Sequence, residues 1–134
     1  MESLYNTVLK KKQDVSQITC NPTLGAMDLD YCKILDSLVP TDDFVTSRVK
    51  SCLKELDLAG GIDFNGHYLS AFDAYNEAVT YYDLKQRGFN VHGIPEASSS
   101  TPDFEVEFTF KDWDGAQKTE NVFLEVKSLA YANG

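Results

Sequence analysis

Apolar and polar residues alternate in two segments near the end of the chain, and this pattern predicts a β-hairpin. In the first segment, Phe104, Val106, Phe108 and Phe110 recur at every second position. In the second, over residues 121–128, three apolar residues do the same. A period of two is typical of a half-buried strand. Asp114-Gly115 lies between the segments and is a strong turn signal, so we expect antiparallel pairing of residues whose numbers sum to about 229.

Upstream of the hairpin, apolar residues recur at helical spacing. The pattern predicts a loop over 14–26, a strand over 88–94, and helices over about 2–12, 28–39, 42–58 and 68–87. Pro40 separates the second and third helices, Thr41 is the expected N-cap of the third, and Gly88 is the expected C-terminal cap of the last. We therefore expect a helical extension over residues 1–66. An α/β core, of the α+β kind with a mixed sheet, in which one helix precedes three strands, would follow over residues 67–134.

Charged residues gather at one end of the predicted hairpin. Asp103 opens the first strand, and Glu125 and Lys127 share the polar face of the second. The predicted register puts Asp103 beside Val126, to within one residue. Two carboxylates and an amine on otherwise apolar strands are typical of a site for a hard cation with a lysine beside it. The alternative is an exposed polar face with a Glu–Lys pair, which contributes little to stability.

Composition restricts the kind of protein that carries this hairpin. With 134 residues, 43% of them hydrophobic, the chain suits one globular domain, with or without a small appendage. Its net charge of −9 argues against a large nucleic-acid-binding surface, although a metal site itself requires acidic residues. The three cysteines form no CxxC pair, which favours reduced thiols over a zinc site. No membrane-spanning run and no secretory signal is visible, so we expect an intracellular protein, cytoplasmic or nuclear.

The order of these features resembles the restriction-endonuclease-like nucleases, the PD-(D/E)xK superfamily. Glu77 lies at the edge of the apolar face of the last helix, Pro102-Asp103 opens the second strand, and Glu125-Val126-Lys127 lies on the third. The resemblance covers residues 68–128 and implies an α-β-β-β core. The family's core continues with a further helix and strand, whereas here residues 129–134 remain, so we expect a core that is incomplete at its C-terminal end.

The resemblance implies a nuclease that depends on Mg²⁺ or Mn²⁺ and hydrolyses phosphodiester bonds, in DNA rather than RNA. Asp103 would be the central ligand and Glu125 a second ligand, with the backbone carbonyl of Val126 as an extra one. Glu77 would bind a second ion or a coordinated water. Lys127 would orient the attacking water and offset phosphate charge.

Two other interpretations remain open. The chain could be a non-catalytic subunit or regulator with a nuclease-like fold, either as a homo-oligomer or with a partner subunit that completes the core. It could also be an acidic α+β binding protein whose motif is accidental. Binding of a metal by Asp103 and Glu125 would exclude the accidental motif, and cleavage would separate a nuclease from a non-catalytic subunit.

Overall fold

The computed structural model describes residues 2–16, 22–59, 66–94 and 102–127, which form helices followed by an antiparallel sheet. The helices are α1 (Leu4–Ser16), α2 (Pro22–Gly25), α3 (Leu29–Leu38), α4 (Asp43–Leu58) and α5 (His67–Gln86). The strands are β1 (Asn90–Gly93), β2 (Phe104–Lys111) and β3 (Gln117–Leu124). The fold is therefore α+β. The predicted α+β content is confirmed, whereas the described strands pair only antiparallel, in the order β1-β2-β3, and not as the expected mixed sheet.

Contacts along the chain divide it into two compact units, Met1–Val79 with Lys127–Gly134 and Thr80–Val126. The division falls within α5, whereas the sequence placed a domain boundary between residues 66 and 67. None of the described helices combines the length and the apolar character that crossing a membrane requires.

The first unit is built on the mutual packing of α1, α3 and α4. Each of these helices buries residues at helical spacing, and the buried set includes Leu4, Val8, Cys32, Leu35, Val45, Val49, Cys52 and Leu56. Asp36 of α3 also holds the start of α1, because its carboxylate accepts hydrogen bonds from the Ser3 hydroxyl and from the amides of Leu4 and Tyr5 at 2.8–3.0 Å. It satisfies donors that the first turn of a helix leaves without partners.

The ends of the first helices differ from the sequence prediction. The helix predicted to end at Lys12 continues to Ser16, and the short helix α2 lies inside the predicted loop, whose residues 17–21 are outside the described part of the chain. Thr41 is not the N-cap of α4. Asp42 takes that place and accepts a hydrogen bond from the Val45 amide at 3.1 Å, while the Thr41 hydroxyl donates to the Leu38 carbonyl.

The second unit begins with the last turns of α5, and Gly88 ends this helix as predicted. Gly88 has a φ of 89°, a conformation that glycine adopts without strain. Its amide donates to the Lys85 carbonyl and the Phe89 amide donates to the Leu84 carbonyl, which is the Schellman pattern. The chain then enters β1. Val91, Phe104 and Val106 are buried, and the Phe104 ring stacks on Tyr81 with centroids 6.0 Å apart.

The hairpin forms as predicted, with its register displaced by one. Paired residues of β2 and β3 have numbers that sum to 228, as in Phe104 with Leu124. The difference from 229 arises in the turn. The Gly115 amide donates to the Asp112 carbonyl and the Asp112 amide to the Ala116 carbonyl, so three residues form the loop and Gly115 takes a φ of 84°.

The predicted second strand of the hairpin is wrong at both ends. It was expected over residues 121–128, of which residue 128 lies outside the described part of the chain, but β3 begins at Gln117 and ends at Leu124. It begins earlier because the polar residues after the turn continue the ladder with β2. Glu125, Val126 and Lys127 therefore follow the strand rather than belong to it.

Candidate functional site

Asp103 lies at the end of the sheet, where it bonds to the chain on both sides of β2. Its amide donates to the Leu124 carbonyl and its carbonyl accepts from the Ile94 amide, both at 2.9 Å. Its carboxylate oxygen Oδ2 accepts a hydrogen bond from the Val126 amide at 2.7 Å. With 9% of its surface exposed, Asp103 is a buried acid that joins the ends of all three strands.

The local geometry explains why β3 stops at Leu124. The regular ladder would pair Asp103 with Glu125, but the Asp103 amide bonds to Leu124 instead. The side chain of Asp103 then takes the place of a backbone acceptor for Val126. The predicted convergence of Asp103 with the segment around Val126 is confirmed, because the expected register was correct to within one residue.

Glu125 and Lys127 lie in the irregular segment after β3, and both are exposed. Glu125 separates the two residues that bond to Asp103, Leu124 and Val126, so it is held close to Asp103 along the chain. Lys127 is the next residue after Val126. The structure assigns a role to the Val126 amide, whereas the ligand role of its carbonyl stays a prediction.

Glu77 lies in the first unit, where its carboxylate oxygen Oε2 is 2.8 Å from Nε of Arg48. The side chains of Arg48 and Glu77 are 4% and 15% exposed, so this ion pair is largely withdrawn from water. The guanidinium of Arg48 also lies over the ring of Phe44, 4.5 Å from its centroid. Glu77 therefore neutralises a buried cation, a role that the sequence analysis missed.

A signal for this ion pair was present in the sequence. Arg48 lies among Val45, Val49 and Cys52 on the apolar stripe of α4, where a charge needs a partner. Glu77 lies at the edge of the apolar face of α5. The two residues are far apart in the sequence, so periodicity alone gave no reason to pair them.

The polar face of β2 is acidic beyond Asp103. Glu105 and Glu107 follow it on the same face and are opposite His92 and Asn90 of β1. The Asn90 amide group donates to the Glu107 carboxylate at 3.5 Å. The negative charges of these carboxylates reinforce one another along the strand, so this face repels a phosphate unless a cation lies between them.

The donor atoms near Asp103 suit a hard divalent cation, whose preferred ligands are carboxylate oxygens. No group of three or more His, Cys, Asp or Glu side chains is placed to hold a metal ion within the described ranges. Mg²⁺ usually retains several waters and takes one or two protein carboxylates together with substrate phosphates. The carboxylates of Asp103 and Glu125 would make a donor set of that size, and their joint binding of a cation stays a prediction.

The two cysteines of the described chain are unsuited to nucleophilic chemistry. Cys32 and Cys52 are buried as free thiols, and burial is the main cause that raises the pKa of each to about 12. A nucleophilic cysteine needs an accessible thiolate near neutral pH. Both side chains instead belong to the apolar core of the first unit.

No protein-family model, no curated protein and no solved structure matches this chain. The resemblance to the restriction-endonuclease-like nucleases therefore rests on the order and placement of the residues named above.

Proposed function

We propose that this chain is a metal-dependent nuclease that hydrolyses phosphodiester bonds through a site centred on Asp103. The observation that carries the proposal is the meeting of Asp103 with the Leu124–Val126 segment at one end of the sheet. The order α5, β1, β2, β3 is the element order of the restriction-endonuclease-like core, and we assign the second half of the chain to that fold. DNA is the substrate class that the resemblance implies.

The cation, Mg²⁺ or Mn²⁺, would be held by the carboxylates of Asp103 and Glu125. Oδ2 of Asp103 bonds to the Val126 amide, so Oδ1 is the oxygen that we assign to the cation. The hydrogen bonds around Asp103 fix this carboxylate before any ligand arrives, and such preorganisation reduces the cost of binding. The backbone carbonyl of Val126 keeps the ligand role that the resemblance gives it, whereas the Glu77 carboxylate is paired with Arg48 in the first unit.

A divalent cation bound at this site would supply positive charge for the phosphoryl oxygens and would make water a stronger nucleophile at neutral pH. Asp103 holds the position of that charge relative to β2. Glu125 would add a second carboxylate to hold the cation, and the charge of the bound cation would let the acidic sheet end accept a phosphate. Lys127 orients the attacking water and offsets the phosphate charge, as the resemblance implies.

The test is cleavage of single- and double-stranded DNA and RNA with Mg²⁺, with Mn²⁺ and with a chelator. We expect metal-dependent cutting of DNA that disappears in Asp103→Asn. Lys127→Ala should lower the rate by a factor on the order of 10² to 10⁴, the range for a group that assists proton transfer. Glu107→Gln is the matched control, because it removes a carboxylate from the same face of β2 and keeps an acceptor for Asn90.

The proposal is contradicted if the wild-type chain cuts no substrate with either metal, or if Asp103→Asn cuts as fast as the wild type. Loss of cutting in Glu107→Gln as well would show that the acidic face acts as a whole rather than through Asp103.

A second function, a non-catalytic subunit with a nuclease-like fold, is favoured by the partners of two of the acids. The Asp103 carboxylate replaces a backbone acceptor for Val126, and the Glu77 carboxylate neutralises Arg48. Both roles stabilise the fold without any metal. Absence of both cleavage and metal binding in a folded wild-type chain would favour this second function.

A further inference from the structure

The outer edge of β3 presents backbone groups that no described strand pairs with. The Asp112 amide bonds to the Ala116 carbonyl, and this bond fixes which positions face β2. In the ladder with β2, the even-numbered residues of β3 occupy the hydrogen-bonded pairs, so the odd-numbered ones direct their amides and carbonyls away from β2. Residues 117–123 are all exposed. An exposed edge of this kind is a template for another strand.

We propose that β3 pairs antiparallel with β3 of a second copy of this chain, about a two-fold axis at Thr119. The pairing would join two three-stranded sheets into one sheet of six strands. Paired residues would then have numbers that sum to 238. Lys118 would lie opposite Glu120 of the partner subunit, and Glu120 opposite the partner's Lys118. This proposal does not depend on the proposed nuclease activity.

Charge selects this register among the possible ones. An axis at Lys118 or at Glu120 would place like charges opposite each other, which destabilises a pair of strands. An axis at Asn121 would place Glu120 opposite the partner's Val122. The axis at Thr119 instead makes two opposite-charge pairs. Lys118 is half exposed, at 52%, and already bonds to Asp112 of its own chain at 2.6 Å, so it would lie between two carboxylates.

The aromatic residues beside this edge also fit a second copy. Phe108 is opposite Glu120, and Phe110 is opposite Lys118, within the hairpin. Phe110 and Val122 of the same sheet face are 41% and 39% exposed, and the Phe108 ring packs edge-on against Phe89 at 5.2 Å. The two-fold axis would bring two such patches together on one face of the joined sheet. Exposed apolar patches of this kind mark interaction sites.

The opposite face of the sheet carries Asp103, Glu105 and Glu107, and the chain as a whole has a net charge of −9. This charge disfavours a nucleic-acid strand along the β3 edge, because a polyanion would need a basic surface. The alternating Lys118 and Glu120 complement the same two residues in a second copy. The occupant that the edge fits is therefore another molecule of this protein.

The test measures the mass of the full chain by sedimentation velocity over a range of concentrations, with two charge-reversed variants. In Lys118→Glu, both cross-strand pairs become Glu–Glu, and in Glu120→Lys both become Lys–Lys. Each variant alone should dissociate roughly tenfold to a hundredfold more readily than the wild type, because two attractive pairs become repulsive. An equimolar mixture of the two variants should regain dimers, since both pairs are then of opposite charge.

Two further variants separate the edge from general effects. Lys111→Glu changes the net charge by the same amount as Lys118→Glu but lies on β2, so it should dimerise like the wild type. Thr119→Pro removes an amide that faces away from β2 and should yield a folded monomer, with folding checked by circular dichroism. The proposal is overturned if the wild type is a monomer throughout, if the reversed variants dimerise like the wild type, or if their mixture stays monomeric.

Discussion

Replacing Asp103 separates its structural role from its proposed catalytic role. In Asp103→Ala, the Val126 amide loses its hydrogen-bond acceptor at 2.7 Å, so the segment after Leu124 is no longer bonded to the side chain at position 103. A hydrogen bond to a charged group contributes about 1.5 to 3 kcal/mol, and a buried donor without a partner costs about 1 to 3 kcal/mol. Because these two ranges describe the loss of the same hydrogen bond, they are not added, and we expect Asp103→Ala to lower the free energy of unfolding by about 2 to 3 kcal/mol.

Asp103→Asn is the matched comparison. The asparagine side chain has the same shape and keeps a carbonyl oxygen that can accept from the Val126 amide. The backbone bonds to Leu124 and Ile94 are unchanged by either substitution. Only the charge of the acceptor is lost, so we expect a cost of about 1 kcal/mol, roughly the difference between a charged and a neutral hydrogen bond.

Urea unfolding, followed by far-ultraviolet circular dichroism, measures both changes. With a slope of roughly 2 kcal/mol per molar urea for a chain of this size, Asp103→Ala should unfold at about 1 M less urea than the wild type. Asp103→Asn should lie between them, yet neither variant should cleave DNA. Equal midpoints for Asp103→Ala and the wild type would refute the assigned hydrogen bond. Equal losses for alanine and asparagine would show that the negative charge of the carboxylate, and not its shape or a neutral acceptor, provides the stabilisation there.

Three further predictions concern the first unit. Asp36→Ala should lower the free energy of unfolding by about 2 kcal/mol, because three donors at the start of α1 lose their acceptor. The control Asp30→Ala, in the first turn of α3, should lower it by less, and equal urea midpoints for the two variants would contradict this. Glu77→Ala should lower the free energy of unfolding by about 3 kcal/mol because it leaves the Arg48 charge buried without its partner, whereas the double variant Arg48→Met/Glu77→Leu should recover most of that loss. Similar urea midpoints for the single and double variants would refute the pairing. Burial raises the pKa of Cys52 and Cys32 to about 12, so both thiols stay protonated in the folded chain at pH 8. They should resist alkylation by iodoacetamide until urea unfolds the chain, which peptide mapping by mass spectrometry would measure. Since the unfolded thiols ionise near pH 9, their contribution to stability should be lost as the pH rises from about 9 to 12, and alkaline urea titrations that show no such fall would contradict the assignment.

Patterns confined to one segment were predicted well. The apolar stripes of α3, α4 and α5 predicted the first and last residues of these helices to within one or two positions, because a helix buries one face with a fixed period. The alternation of apolar and polar residues from Phe104 to Phe110 likewise predicted the strand β2. Gly88 and the Asp114-Gly115 turn were predicted because their positive φ angles, observed at Gly88 and Gly115, suit glycine.

Features that depend on bonds between distant residues were not predicted. The sequence could not show that the Asp103 carboxylate would bond to Val126 and that the regular strand would end at Leu124. The pairing of Arg48 with Glu77 was missed for the same reason, since two helices must meet before the pair forms. The choice of Asp42 over Thr41 as N-cap is a competition between neighbours that small differences in backbone direction decide.

The measurement that tests the central claim most directly is Mn²⁺ binding to the full chain, measured by electron paramagnetic resonance of the free ion. The wild type and Glu107→Gln should bind Mn²⁺ with the same affinity, and Mg²⁺ should compete. Asp103→Asn, which keeps the hydrogen bond to Val126, should lose that binding. If Asp103→Asn binds Mn²⁺ as tightly as the wild type, or if the wild type binds none, Asp103 is a structural residue and the proposed metal site is wrong.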